Sequence, residues 1–74
     1  MSQDKVIEIF RSKNGERLAE IVRAENGKYQ LWKIERRDIQ PPGNIHSLID
    51  EYEELDAAQA EARMIVIRHE QDQK

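Results

Sequence analysis

Two Asn-Gly pairs, Asn14-Gly15 and Asn26-Gly27, lie near the start of the 74-residue chain with ten residues between them. Alternating apolar residues flank both, and Asn-Gly in that setting is the strongest short-range signal for a β-hairpin. A two-residue type I′ turn needs positive φ at both central positions, which Asn tolerates and Gly adopts freely. Two such turns predict a three-stranded antiparallel meander over about 5–37, with strands near 5–12, 16–25 and 28–37. Val, Ile, Phe, Tyr and Trp enrich these segments, as strands prefer.

With two-residue loops the register follows. Ile9 should face Glu20, Ile7 should face Val22, and across the second turn Val22 should neighbour Leu31 and Ile21 should neighbour Trp32. Strand alternation then sorts the side chains. One face carries Ile7, Ile9, Leu18, Val22, Ala24, Tyr29 and Leu31. The other carries Val6, Phe10, Ala19, Ile21, Trp32 and Ile34 among Glu8, Arg17, Arg23 and Arg36. Both faces are substantially apolar, so one covering helix would hide only one of them.

Beyond the meander, DIQPPGNIH reads as a linker, 38–46, because Pro41-Pro42 holds the chain extended and biases Gln40 away from helix. Ile45, Leu48, Tyr52, Leu55, Gln59, Ala62, Val66 and His69 then follow at spacings of three and four, the seam of a helix. The reading is a helix over about 47–70, capped by Ser47, with Asp50, Glu51, Glu53 and Glu54 in its first turns, where the helix dipole favours negative charge. Asp56-Ala57-Ala58-Gln59 also resembles a capping box, which marks a place for a break and restart. Met64–Ile67, four apolar residues in a row, reads as helical because no breaker precedes it, with a short strand as the alternative. The expected fold is therefore a single α+β domain: a three-stranded antiparallel meander and a long C-terminal helix packed on one sheet face. Ile7, Ile9, Leu18, Val22 and Leu31 are the expected core face, meeting Leu48, Tyr52, Leu55, Ala62 and Val66.

A domain of this size buries only about 60% of its unfolded surface and usually needs a staple. Cysteine is absent, so neither disulfides nor thiolate metal sites are available. His46 and His69 have no ligand spacing around them. A second subunit is the aid that remains. No apolar run approaches the roughly 20 residues of a membrane span, and the N-terminus lacks a signal-peptide layout; a cytoplasmic location is expected. Charged residues make up 36% of the chain but the net charge is only −3, which fits a folded, solvated surface. Residues 1–40 hold nine Lys/Arg against seven Asp/Glu (+2), and residues 41–74 hold three against eight (−5).

Catalysis finds little support. Threonine is absent, and the only serines are Ser2, Ser12 and Ser47. Ser47 beside His46 is the only candidate pair, and sequence neighbours seldom face each other. No glycine-rich phosphate cradle occurs. Asp50, Glu51, Glu53, Glu54 and Asp56 form an acidic patch, but on a helix they would spread around the cylinder rather than converge on a cation. No catalytic residue, metal or cofactor is expected. The feature with most functional content is the face of Phe10, Arg17, Ile21, Arg23, Trp32, Ile34 and Arg36. Aromatic side chains with Arg are what protein hot spots use. They are also what a sheet uses to stack single-stranded bases, although a net negative chain without a ribonucleoprotein motif argues against that.

The segments FRSKNGE, AENG and DAAQAEA resemble small bacterial proteins of the YegP type, whose repeats are meander strands followed by a helix. The likeness lies in turn chemistry and alanines over about half the chain and carries no residue role. Short length and acidity are also shared with small phage proteins that block host defences. The functional expectation is a non-enzymatic protein-interaction module that forms a homodimer. Nucleic-acid binding through the Trp32/Arg face is the first alternative. An acidic inhibitor or mimic presenting Asp50–Asp56 to a basic partner is the second.

Overall fold

Both Asn-Gly pairs reverse the chain, through loops one residue longer than expected. The computed structural model describes residues 5–37 and 43–72. The Ser12 N–H donates to the Glu16 carbonyl (2.9 Å) and the Gly15 N–H to the Ser12 carbonyl (3.0 Å). Ala24 and Lys28 (2.9 Å), and Gly27 and Ala24 (3.0 Å), repeat the pattern. Each loop thus holds three residues, 13–15 and 25–27. Gly15 and Gly27 have φ of 86° and 83°, whereas no described non-glycine residue has positive φ. Asn14 and Asn26 therefore cannot occupy a type I′ turn. The arrangement is a type I turn closed by a left-handed glycine. The Asn26 side-chain oxygen accepts from the Lys28 N–H (2.9 Å), and the Ser12 hydroxyl accepts from the Asn14 and Glu16 N–H groups (3.2 Å each). These contacts satisfy turn donors that strand pairing leaves over.

The elements are β1 (Lys5–Arg11), β2 (Arg17–Arg23), β3 (Tyr29–Arg37), β4 (Gly43–Tyr52) and α1 (Leu55–Asp72). The strands form one antiparallel sheet in the order β1-β2-β3-β4. The α+β class stands; the meander has four strands rather than three. GNIHSLIDEY pairs with β3 from Gly43↔Arg37 to Tyr52↔Tyr29. Hence 43–46 is strand rather than linker, Ser47 lies mid-strand rather than at a cap, and the helix begins at Leu55 rather than near 47. Residues 38–42, with Pro41-Pro42, lie outside the described residues. The error has a physical origin. Short apolar runs fit either periodicity, and β3 offers an open hydrogen-bonding edge that a strand can satisfy and a helix cannot. Met64–Ile67 is helical, as read.

The longer loops act differently on the two hairpins. In the first, an irregularity between Phe10 and Arg11 absorbs the extra residue, and Ile9 faces Glu20 as expected. A second irregularity sets Val6, not Ile7, opposite Val22. In the second hairpin nothing compensates: Ile21 faces Leu31 and Val22 faces Gln30. This one-residue shift moves every β3 side chain to the face opposite the expected one.

The helix consequently covers a different surface. Ala19, Ile21, Leu31, Ala58 and Ala62 are all fully buried in one cluster, ringed by Phe10, Tyr29, Tyr52, Leu55 and Ile65. Of the expected core, Leu31, Tyr52, Leu55 and Ala62 belong to this cluster. Ile7, Ile9, Leu18 and Val22 do not. Ala58 and Ala62, one turn apart, let the helix lie close against the larger Ile21 and Leu31. Gln59 Nε2 donates to Glu8 Oε1 (2.8 Å), tying α1 to the first strand.

Candidate interaction surface

Alternation from the buried Ile21 and Leu31 assigns the second sheet face. Val22 and its partner Val6, Ile9 opposite Glu20, Trp32 opposite Leu48, and Ile34 opposite His46 all point away from the helix. No described element covers them. Val6 and Leu48 are each 47% exposed. Val22 and Ile34, on the two central strands, are only 7% and 4% exposed even without a covering layer.

Neighbouring polar side chains account for that burial. Glu20 lies on β2 and His46 on β4, with β3 between them. Strands are about 4.8 Å apart, so the 4.0 Å approach of His46 Nε2 to Glu20 Oε1 requires both side chains to reach over β3 near Trp32 and Ile34. On the other side of the indole, Trp32 Nε1 donates to Gln30 Oε1 (3.2 Å), and Gln30 Nε2 donates to Glu51 Oε2 (3.0 Å). The half-buried indole is thereby fixed in orientation by a relay ending on β4. Arg36 Nη1 lies 4.0 Å from Glu16 Oε1. The result is an apolar strip with an oriented aromatic centre, flanked by polar groups of both signs.

The expected interface set is divided between the faces. Trp32, Ile34 and Arg36 belong to the open face. Phe10 and Ile21 pack under the helix, and Arg23, opposite Tyr29, lies on the helix side. Arg17 lines a cleft of about 610 Å³ between the sheet and the last turns of α1, with Lys33, Glu35, Ile65 and Arg68. The acidic patch is also dispersed: Asp50 and Glu51 are on β4, Glu53 and Glu54 in the following connection, and Asp56 in the first helical turn. Asp50 sits opposite Leu31 on the helix side, where its Oδ1 accepts from the Glu51 N–H (2.8 Å). Nearby, burial pushes the Tyr52 phenol above its ordinary pKa, with the charges of Glu61 and Asp50 adding to the effect.

Leu48 and His46 are open-face residues that the sequence reading assigned elsewhere, to a helix seam and a linker, and Ile9 and Val22 are open-face residues that it assigned to the core face. The alternation of Asn44, His46 and Leu48 against Ile45, Ser47 and Ile49 was the available signal, masked by the competing three-four spacing. Among the described residues no group of three His, Cys, Asp or Glu side chains converges to hold a metal ion, and no helix is long and apolar enough to cross a membrane. Compared with known proteins, the chain matches no family model, no curated protein and no solved structure.

Proposed function

We propose that this chain is a non-enzymatic, cytoplasmic protein-interaction module that works as a homodimer, its second copy seated on the open sheet face around Trp32. The observation that carries this reading is the uncovered strip of Val6, Ile9, Trp32 and Leu48 opposite the helix. Leaving such side chains in water forgoes roughly 1.5–3 kcal/mol for each one that could be fully buried, a large amount for a domain retaining roughly 3–5 kcal/mol. A two-fold axis lets one patch cover itself.

Charge argues against nucleic acid as the occupant. Among the described residues, Glu16, Glu20 and Glu51 border the strip, Glu16 near Arg36, Glu20 near His46 and Glu51 bonded to Gln30, and phosphate binding requires a basic surface. Absence of catalysis is part of the proposal because the described serines are placed without a base: Ser12 caps a turn and Ser47 lies within β4. The cytoplasmic assignment rests on the lack of cysteine, since small secreted domains are commonly disulfide-rich.

Sedimentation at micromolar concentration should return twice the chain mass of 8.7 kDa, and Trp32→Glu should return a folded monomer. A native chain that sediments as a monomer, with its indole fluorescence fully open to a soluble quencher, would overturn the dimer.

A further inference from the structure

The sheet has two edges, and they are built differently. Outer strands tempt other chains to add on, and proteins discourage this with short strands, lysines and bulges. β1 uses all three: it has seven residues, begins at Lys5, and carries two irregularities of pairing. β4 has ten residues and contains neither lysine nor arginine. Its single irregularity leaves Ile49 between the partners of Leu31 and Trp32. Ile45, Leu48 and Ile49 are all between 44% and 47% exposed, and among the described residues no element lies beyond β4.

The direction of its backbone groups follows from the second hairpin. The Ala24 N–H bonds to the Lys28 carbonyl, so the even-numbered residues of β3 pair inward with β2 and the odd-numbered ones with β4. Asn44, His46, Leu48 and Glu51 lie opposite even-numbered β3 residues. Their N–H and carbonyl groups are therefore turned outward, to the unoccupied side. The same residues place their side chains on the open face, so an added strand would extend the Trp32–Leu48 strip sideways.

We infer that β4 is a strand-addition site for an extended basic segment of another protein. The outward backbone ladder supplies the attachment, as in recognition by β-augmentation. The charge of the edge selects the occupant. Asp50 and Glu51 end the strand, Glu53 and Glu54 follow it, and the only group on β4 able to become cationic is His46. A segment alternating apolar residues with Lys or Arg would set its apolar side chains on the open face, beside Leu48, and its cations on the opposite face, which carries Asp50. A second copy of β4 would bring more carboxylates and no lysine or arginine.

The test uses the full chain and a short, end-capped, fluorescently tagged peptide alternating valine with lysine. Binding followed by anisotropy should weaken as salt rises. N-methylation of alternate peptide residues, which removes N–H donors and keeps the charge, should weaken it at least about tenfold. His46→Pro removes one outward donor without touching the β3 ladder and should weaken it about as much, whereas His46→Ala, which keeps that donor, should weaken it far less. Leu48→Lys, which adds the usual edge deterrent at an exposed side chain, should also abolish binding and covers the case in which His46→Pro does not fold. Trp32→Glu should bind the peptide even as a monomer, which separates this inference from the dimer. Equal binding of parent and N-methylated peptides would reduce the contact to charge adsorption and overturn the inference. So would equal binding of a valine–glutamate peptide, or no binding because β4 is already paired with a second copy.

Discussion

The covered and open faces of the sheet bury isoleucines almost equally, by different means. Ile21 lies under α1 and is 0% exposed; Ile34, on the adjacent strand and opposite face, is 4% exposed. Ile21 is enclosed by a second layer, with Ala58 and Ala62 allowing the helix to come close. Ile34 is enclosed within one layer, by neighbours such as His46 reaching over β3 to Glu20. The difference teaches what selects the face for a covering helix. Apolar content does not decide it, since both faces have enough. The small residues do: Ala19 on the sheet meets the alanine pair on the helix, whereas a face centred on Trp32 would hold a helix away.

The comparison breaks most visibly at those two isoleucines. Ile21→Ala should cost about 4–5 kcal/mol, the upper part of the range for such truncations, because the cavity would be closed on both sides. That exceeds what a domain of this size commonly retains, so loss of cooperative unfolding is the expected result in urea. Ile34→Ala should cost about 2 kcal/mol, since flexible polar side chains can fill or hydrate the space. Equal costs at the two positions would mean that the open face is sealed as tightly as the covered one. A cost at Ile34 that grows with protein concentration would identify the second copy as the seal.

A smaller effect probes the alanine match. Ala62→Leu adds bulk where the helix lies closest to the sheet, and overpacking there should cost about 1–3 kcal/mol. The same change at Ala60, an exposed helix position, should be nearly neutral because alanine and leucine have similar helix propensity. Thermal melts of the two variants provide the check. Similar melting temperatures would remove close approach as the reason for the helix's choice of face.

Much of this fold was legible in the sequence because turn chemistry is local. Gly15 and Gly27 marked both reversals correctly, and the alanine-rich stretch marked the helix. The faces were not legible, because Asn-Gly serves two loops, of two and three residues, that differ by one in register. Only the tertiary choice to bring Leu31 beside Ile21 under the helix decides between them. Likewise, Ile45 to Tyr52 satisfied a helical spacing, and what made it a strand was the waiting edge of β3, a partner distant in sequence. The candidate surface inherited both ambiguities. Trp32 was identified from its chemistry, whereas its companions Val22 and Leu48 required the register.

Deleting Glu25 sharpens this point with a small expected effect. The remaining Asn26-Gly27 can form a two-residue type I′ loop while Ala24 and Lys28 stay paired, and both loop types are common in hairpins. The register, and with it the half-buried state of Trp32, should survive at a cost below about 1 kcal/mol. Tryptophan fluorescence and a urea melt report both quantities. A large shift of the emission maximum would show that Glu25 itself holds the register.

The smallest effect is electrostatic and belongs to the covered side. Tyr52 lies opposite Tyr29 at the end of β4 and packs against the helix-side cluster. Burial is the main reason its phenol titrates above the ordinary 10.0, because a phenolate there would lose hydration; Glu61 and Asp50 oppose the same negative charge. The sign follows from linkage. The raised folded-state pKa means that the native chain favours the protonated phenol more than the unfolded chain does. This contribution is complete below the unfolded value near 10 and disappears as pH rises through the folded value. Tyr52→Phe cannot ionise, so the stability difference between it and the native chain should be constant at lower pH and shift in favour of the variant above about pH 10. Native-minus-variant comparison also removes the background from lysine titration. Phenolate absorbance should show a late-titrating component that the variant lacks. If the stability difference stays flat through that range, Tyr52 is as hydrated in the folded state as in the unfolded one, and the covered face ends before it reaches β4.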